Sequence, residues 1–290
     1  MKKRILSLLM AFVMVVSLLP ASVLAAETVT EISSAEAFAA MPANGSYKLT
    51  QDIEVTTPYK STFKGTFDGD GHTVTLKLNV TSGNAGLFSE TGSGAVIENV
   101  EVSADVTSNV ASSSYGTAGL VGKVSGATTI TNCGVTGTVS NTSTNSYYAV
   151  RIGGLVGYLS AALELNSCYN QANINSASTN SSSAAGGLIG GSSSAYSVNA
   201  QNCYSSGNIT AKNYAGGLIG YLNSRAKTTY SSAIPHTYTN CYTAGTVTGG
   251  SNKAYNFAYA YSVAAATFKN CYFNNESDSK GCNGAVSNLE

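Results

Sequence analysis

Apolar residues and glycines recur along this chain in one order, with a period of 30 to 35 residues. The clearest segment is Ala215-Gly216-Gly217-Leu218-Ile219-Gly220-Tyr221. Close copies are centred on Leu120, Leu155 and Leu188, and a shorter copy is centred on Leu87, so the steps are 33, 35, 33 and 30 residues. A period of this length is typical of a solenoid, a propeller or an array of repeated units.

A second segment keeps the same phase and ends in Asn-Cys-Tyr or a close variant. Its cysteines are Cys133, Cys168, Cys203, Cys241 and Cys271. A third segment alternates Gly with Val or Ile, as in Gly137-Thr138-Val139, and polar loops follow it. Three short strands per period, joined by corners, predict a parallel β-helix whose stacked units share one core. We therefore predict an all-β, right-handed, single-stranded parallel β-helix of about six to seven coils, because crossovers between parallel strands are right-handed.

The repeated residues have predicted places in this architecture. Leu87, Leu120, Leu155, Leu188 and Leu218 are expected to stack in the core, as are the five in-phase cysteines. The residue before each cysteine, usually Asn, is expected to form a buried ladder of amide side chains. The paired glycines are expected where the backbone has a positive φ or where coils approach closely.

The first 25 residues differ from the rest and are predicted to be a signal peptide. Lys2-Lys3-Arg4 is a positive start, residues 5–19 are apolar, and Val23-Leu24-Ala25 is a small-residue cleavage site. An uncleaved membrane anchor is the less favoured alternative, because the apolar run is shorter than the roughly 20 residues that span a bilayer. The mature chain is expected to be secreted or associated with the cell surface, with no membrane span.

Residues 26–44 are predicted to form an N-terminal cap, and the β-helix is predicted over residues 45–290. A short helix is expected at 31–41, because Ser33 and Glu36 have the spacing of a capping box. A helix ahead of a repeat array can cover the open apolar end of its core.

The repeats together resemble a known family. Gly216-Gly217-Leu218-Ile219-Gly220-Tyr221 and the Asn202-Cys203-Tyr204 segment are similar to the GLUG-motif repeats of bacterial surface proteins. Asp68-Gly69-Asp70-Gly71-His72, followed by Gly86-Leu87-Phe88, resembles the entry coils that often precede such repeats. The resemblance spans about residues 45–275 and implies an exported parallel β-helix in a surface or adhesion setting. Ala258-Tyr259-Ala260-Tyr261 departs from the pattern and is interpreted as a worn last coil.

Composition excludes one large class of partner. Of the 290 residues 10% are charged, and the formal net charge is zero. Nucleic-acid binding requires clustered Lys and Arg, so no nucleic-acid partner is expected.

The six cysteines leave several alternatives. A column of reduced, buried thiols is favoured over disulfides within the column, because parallel Cβ vectors make the disulfide torsion awkward. Cys282 is out of phase and could pair with Cys271. No metal or cofactor is expected, since the chain has no CxxC pair and no His-Cys cluster.

Catalysis on polysaccharides is the main enzymatic alternative. Glycosidases use two neighbouring carboxylates, yet Glu164 is the only acid between residues 106 and 275. Asp68, Asp70 and His72 could form a Ca²⁺ loop or an acid–base group, but a turn capped by Asp is favoured. His236 is expected in a solvated loop. No catalytic residue is therefore assigned.

The tyrosines give the strongest indication of function. A residue that follows an inward cysteine should point outward, which predicts an exposed tyrosine column. Such a stripe suits sugar or protein binding, although the rings could instead pack on one another or on loops. The candidate ligand-binding residues are Tyr158, Tyr169, Tyr204, Tyr221, Tyr242 and Tyr272.

The predicted function is a secreted or cell-surface, non-catalytic adhesion module that binds an unknown glycan or an extracellular host or matrix protein. The alternatives are a polysaccharide-active lyase or glycoside hydrolase, and a purely structural spacer.

Overall fold

The computed structural model describes residues 28–192, 196–223, 236–250, 253–261, 266–273, 280–283 and 286–289. The predicted signal peptide, residues 1–25, lies outside the described residues.

The described residues form one short helix and many short strands. In chain order they are β1 (Val29–Ile32), α1 (Ala35–Ala39), β2 (Ser46–Leu49), β3 (Ile53–Val55), β4 (Tyr59–Phe63), β5 (Thr66–Asp68), β6 (Thr73–Val80), β7 (Phe88–Thr91), β8 (Ala95–Glu98), β9 (Glu101–Ser108), β10 (Val121–Val124), β11 (Thr128–Thr131), β12 (Gly134–Asn141), β13 (Arg151–Gly153), β14 (Val156–Leu159), β15 (Leu163–Asn166), β16 (Tyr169–Asn170), β17 (Asn173–Ser176), β18 (Ala184–Gly186), β19 (Ile189–Ser192), β20 (Val198–Gln201), β21 (Tyr204–Ser205), β22 (Ile209–Ala211), β23 (Tyr214–Gly216), β24 (Ile219–Asn223), β25 (His236–Thr239), β26 (Tyr242–Thr243), β27 (Val247–Thr248), β28 (Ala254–Tyr261), β29 (Ala266–Lys269), β30 (Tyr272–Phe273), β31 (Lys280–Asn283) and β32 (Val286–Leu289).

These strands form three parallel sheets, and the chain visits the sheets in turn. Sheet A runs β1-β2-β5-β8-β11-β15-β20-β25-β29-β32. Sheet B contains β3, β6, β9 and β12, and then the short pairs that begin with β16 and β17. Sheet C runs β13-β18-β23-β28-β24-β19-β14-β10-β7-β4, with β31 paired to β28. The fold is therefore an all-β parallel β-helix, and one passage through sheets A, B and C is called a coil below.

The repeated leucines and cysteines lie in the core that the three sheets enclose. Each of Leu87, Leu120, Leu155, Leu188 and Leu218 is at most 1% exposed. Cys133, Cys168, Cys203 and Cys241 are equally buried, and Cys271 is 8% exposed. One coil alone could not bury these side chains, so stacking of successive coils provides the hydrophobic stabilisation.

Close backbone approach explains the paired glycines. A Cβ on Gly186 would lie 2.0 Å from the carbonyl oxygen of Ile189, and one on Gly187 would lie 2.0 Å from that of Gly217. Real Cβ atoms do not approach so closely, and the positive-φ glycines of the described chain lie elsewhere. Of the two explanations proposed from sequence, close approach is the one that applies.

The N-terminal segment is only partly helical. The helix was expected at 31–41, but Glu31 and Ile32 belong to β1, which pairs with Lys48 and Leu49 of β2. Ser34, not Ser33, caps α1 by accepting a hydrogen bond from the backbone N–H of Ala37 at 3.2 Å. The pairing with β2 draws the first residues into sheet A, so the helix begins later than the capping-box spacing predicts.

Aromatic rings fill the core near α1. Phe38 of the helix is fully buried, with its ring centroid 5.5 Å from that of Phe67 and 5.4 Å from that of Phe88. Tyr59 and Phe63 extend the same cluster. Within the described residues no helix is long and apolar enough to cross a membrane.

Candidate functional site

The corner between sheets A and B sets the geometry of the candidate site. One residue per coil there adopts a left-handed backbone conformation, with φ between 51° and 55°. Asn tolerates this region better than most residues, because its short polar side chain can bond locally. The residues are Asn99, Asn132, Ser167, Asn202, Asn240 and Asn270.

The asparagine side chains at this corner form a hydrogen-bonded ladder. Asn132 donates from Nδ2 to Oδ1 of Asn99 at 2.9 Å, and Asn270 donates in the same way to Asn240 at 3.1 Å. Asn99 itself donates to Oδ1 of Asp68 at 3.0 Å. The prediction of a buried ladder was wrong: apart from the half-buried Asn99, these residues are exposed. The corner turns each side chain toward solvent before the next residue points inward.

The residue after each corner is the buried cysteine. The thiols of Cys133, Cys168, Cys203, Cys241 and Cys271 are free. The hydrogen bond to the neighbouring thiol and burial together raise the pKa of Cys168 to about 12. The Cys271–Cys282 disulfide weighed from sequence is not formed, because the Cys271 thiol is free. The side chain of Cys282 lies outside the part of the chain that is described.

The residue after each cysteine begins sheet B, and in three successive coils it is a stacked tyrosine. The ring centroids of Tyr169 and Tyr204 lie 5.3 Å apart at an interplanar angle of 9°. Those of Tyr204 and Tyr242 lie 4.9 Å apart at 3°. Tyr272 pairs with Tyr242 in the sheet register and extends the series. We call Tyr169, Tyr204, Tyr242 and Tyr272 the tyrosine column.

The N-terminal end of the tyrosine column is covered. A Cβ on Gly134 would lie 2.1 Å from the ring of Tyr169, so this ring lies over Gly134. The Tyr169 hydroxyl donates to Oε2 of Glu101 at 3.1 Å. Burial, together with the Glu101 carboxylate, raises the pKa of Tyr169 to about 12. The phenol therefore stays protonated and holds the first ring in place.

The C-terminal end of the column is open. Tyr242 is 43% exposed and Tyr272 is 68% exposed. With Asn240, Cys241 and Asn270 they line an open depression of about 470 Å³. Aromatic rings and amide groups therefore converge on one concave surface, which is the candidate binding site.

Tyr158 and Tyr221 lie on a different face. Both are half-buried in sheet C, where each pairs with Gly191 in the coil between them. The guanidinium carbon of Arg151 lies 5.0 Å from the centroid of the Tyr221 ring. The six candidate tyrosines thus belong to two separate groups.

Asp68, Asp70 and His72 stabilise a turn. Oδ1 of Asp68 accepts a hydrogen bond from the backbone N–H of Asp70 at 2.8 Å, and Asp70 has a φ of 51°. Asp70 also pairs with Lys48 at 2.9 Å, while His72 contacts Asp52 at 3.3 Å. No group of three or more His, Cys, Asp or Glu suited to a metal ion occurs among the described residues.

His236 is in the core and not in the expected solvated loop. It begins β25, is fully buried, and neither ring nitrogen has a hydrogen-bond partner among the described residues. Burial lowers its pKa to about 4. The spacing in the sequence indicates this core position, because His236 precedes Cys241 by five residues, as the buried Leu163 precedes Cys168.

The fold is similar to that of a solved protein. The crystal structure of a putative immunoglobulin A1 protease from Bacteroides ovatus at 1.30 Å resolution matches with a TM-score of 0.62 and 20% sequence identity. The match covers 90% of this chain and 79% of that chain. No protein-family model and no curated protein matches the chain. At 20% identity the likeness shows the fold alone.

Proposed function

We propose that this chain is a secreted or cell-surface, non-catalytic adhesion module that binds a glycan at the open end of the tyrosine column. A host or matrix protein is the alternative partner. The main support is the depression lined by Tyr242, Tyr272, Asn240 and Asn270.

Ring stacking decides which tyrosines can hold a sugar. A pyranose packs its C–H face on an aromatic face, and the two faces of Tyr204 are covered by Tyr169 and Tyr242. Tyr169 is covered by Gly134 and Tyr204. The outer face of Tyr242 and the ring of Tyr272 remain for a ligand. Tyr169 and Tyr204 then support the site by fixing the orientation of Tyr242.

The asparagine ladder supplies the polar part of the site. Each side chain donates to the preceding coil, so Asn270 presents its Oδ1 at the C-terminal end, where no donor reaches it among the described residues. Amide groups both donate and accept hydrogen bonds, which matches the hydroxyl groups of a sugar. A fixed ladder also lowers the entropy that binding would cost.

Several finer features belong to the same proposal. The β-helix is right-handed, as crossovers between parallel strands are. The sequence predicts about six to seven coils, and sheet A has ten strands among the described residues. Helix α1 caps the core through Phe38. Residues 1–25 direct export and are removed, and the repeats belong with GLUG-motif surface proteins.

A glycan array and a matrix-protein adhesion assay on the mature protein test this proposal. Tyr242→Ser combined with Tyr272→Ser should reduce glycan binding about tenfold or more, because both ring faces are lost. Tyr115→Ser is the matched control: Tyr115 is 42% exposed but lies in a loop between sheets B and C. Equal binding by the double variant and the parent protein would refute the proposal.

A further inference from the structure

A second surface, on sheet C, combines cations with aromatic rings. Lys253 Nζ lies 4.7 Å from the ring centroid of Tyr214, and Arg151 lies over Tyr221 as described above. The Tyr214 and Tyr221 centroids are 5.5 Å apart at 58°. We call Arg151, Tyr158, Tyr214, Tyr221 and Lys253 the Arg151 cluster.

The sheet register explains how Arg151 reaches across the coils. Arg151 is aligned with Ala184 and then Tyr214 in successive coils. The neighbouring position in the middle coil is Gly191, whose added Cβ would lie 2.4 Å from Cδ of Arg151. The absence of a side chain at Gly191 therefore provides the groove in which the Arg151 stem lies.

The positive charge of the cluster is not balanced locally. Lys123, also on sheet C, pairs with Glu90 at 3.8 Å. Within the described part of the chain neither Arg151 nor Lys253 takes part in an ion pair. Burial lowers the pKa of Arg151, and electrostatic interactions with Tyr221, Tyr158 and Tyr214 act in the opposite direction.

The repeat region as a whole also has more basic than acidic residues. Residues 106–275 contain seven Lys or Arg and one acid, Glu164, which leaves a formal net charge of +6 in a chain that is neutral as a whole. Glu164 lies on sheet A, where it accepts a hydrogen bond from Asn199 at 2.7 Å. The repeat region is therefore electrostatically complementary to an anionic partner.

The guanidinium retains bonding capacity. Nη1 donates to the carbonyl oxygens of Val150 and Ser182, which fixes its orientation. Nε is buried and has no hydrogen-bond partner among the residues that the structure describes. A guanidinium binds carboxylate and sulfate oxygens through its planar fork of donors. The Arg151 side chain as a whole is half-buried, so an anion would approach its guanidinium from the solvent side and not through the enclosed Nε.

We propose that the Arg151 cluster binds the carboxylate or sulfate group of an acidic glycan. This inference rests on the proposed glycan-binding function and adds a second, charge-reading subsite on sheet C. A glycan fits better than an acidic peptide, because extended peptides bind sheet edges through backbone hydrogen bonds. The cluster lies on a sheet face, where it offers side chains only.

Binding of polygalacturonate and dextran sulfate to the mature protein tests the subsite, with dextran and polyglutamate as comparison probes. Arg151→Gln should weaken binding of the polyanions by about tenfold or more, and Lys253→Gln by about threefold. Arg151→Lys, which keeps the charge but loses the fork, should fall between the parent and Arg151→Gln. Lys123→Gln removes a paired cation from the same sheet and should bind like the parent protein.

The probes distinguish the sources of the anion. Binding of polygalacturonate alone supports a uronate ligand, binding of dextran sulfate alone supports a sulfated ligand, and either result supports the subsite. If circular dichroism shows that Arg151→Gln does not fold, the test uses Lys253→Gln instead, and its polyanion binding is compared with that of Lys123→Gln.

Three results would overturn the inference: neither polyanion binds, Lys123→Gln loses as much affinity as Arg151→Gln, or polyglutamate binds as tightly as the glycans. Neutral-glycan binding that depends on Tyr242 and Tyr272 without polyanion binding would reject this subsite and leave the proposed function standing.

Discussion

A Cβ atom on Gly119 would lie 2.4 Å from Cγ1 of Val135. This contact joins two separate parts of the repeat: the glycine before each core leucine and the residue two positions after each cysteine. The same pairing recurs at Gly154 with Asn170 and at Gly187 with Ser205. The two motifs seen in the sequence therefore specify each other, because a glycine is needed where the following coil places a buried side chain.

Gly119→Ala should destabilise the protein by about 1–3 kcal/mol through overpacking. Val135→Ala in the same chain should recover part of that loss, giving a coupling of at least about 0.5 kcal/mol in a double-mutant cycle. Unfolding by guanidinium chloride, followed by circular dichroism, measures the destabilisation and the coupling free energy.

Gly154→Ala is the control for this cycle. A Cβ there would also lie 2.3 Å from the carbonyl oxygen of Gly187, and a substitution at Asn170 cannot remove that backbone contact. Rescue of Gly154→Ala by Asn170→Ala, or additivity at Gly119 and Val135, would argue against the contact.

Ser167→Asn should stabilise the protein by about 0.5–1 kcal/mol, because Asn favours the left-handed corner and adds ladder hydrogen bonds. Ser167 interrupts the ladder, and Asn202 donates instead to Asn166 at 3.2 Å. The reciprocal change, Asn132→Ser, should lower stability by a similar amount. The midpoint of guanidinium unfolding measures both variants, and the ladder has no stabilising role if neither midpoint moves.

The buried cysteines should resist alkylation in the native protein. The hydrogen bond to the neighbouring thiol raises the pKa of Cys203 and of Cys241 to about 12, with burial acting in the same direction. At pH 8 almost no reactive thiolate is then present. Mass spectrometry after iodoacetamide treatment should find Cys133, Cys168, Cys203 and Cys241 unmodified before denaturation and modified after it. Two or more disulfides among these four residues would contradict the reduced column.

His236 should make the protein sensitive to acid. Its pKa is lowered to about 4 in the folded chain, so the unfolded state binds a proton first as the pH falls below the ordinary value of about 6.5. The stability that neutral His236 provides is complete above pH 6.5 and is lost progressively as the pH falls toward 4, by roughly 3 kcal/mol.

His236→Val tests this pH dependence, because Val198 holds the preceding position in sheet A. The difference in unfolding free energy between the parent and this variant should change between pH 6.5 and 4, while the contribution of the acidic residues cancels. A constant difference across that range would show that His236 is not the sensitive group.

The periodicity of the sequence predicted much of the fold. The leucine and cysteine columns followed from phase alone, since residues at one phase of a solenoid must occupy one place in every coil.

The candidate site was harder to predict, because phase does not tell which side of a corner faces solvent. Asn202 and Asn240 were placed inside for that reason, although repeated Asn at one position was itself a signal for a left-handed corner. Ring stacking in the tyrosine column and the reach of Arg151 over Gly191 depend on side-chain conformation in neighbouring coils. Spacing within one repeat contains no information on either.

The most direct test of binding without catalysis uses a glycan identified in the array. The mature protein is incubated with this glycan, and bound glycan and new reducing ends are measured in the same sample. We expect the parent protein to bind the glycan and leave its length unchanged. The Tyr242→Ser, Tyr272→Ser double variant should bind little glycan and should also leave it uncleaved. New reducing ends that accumulate with time in the parent sample and not in a protein-free control would contradict the assignment as a non-catalytic binding module.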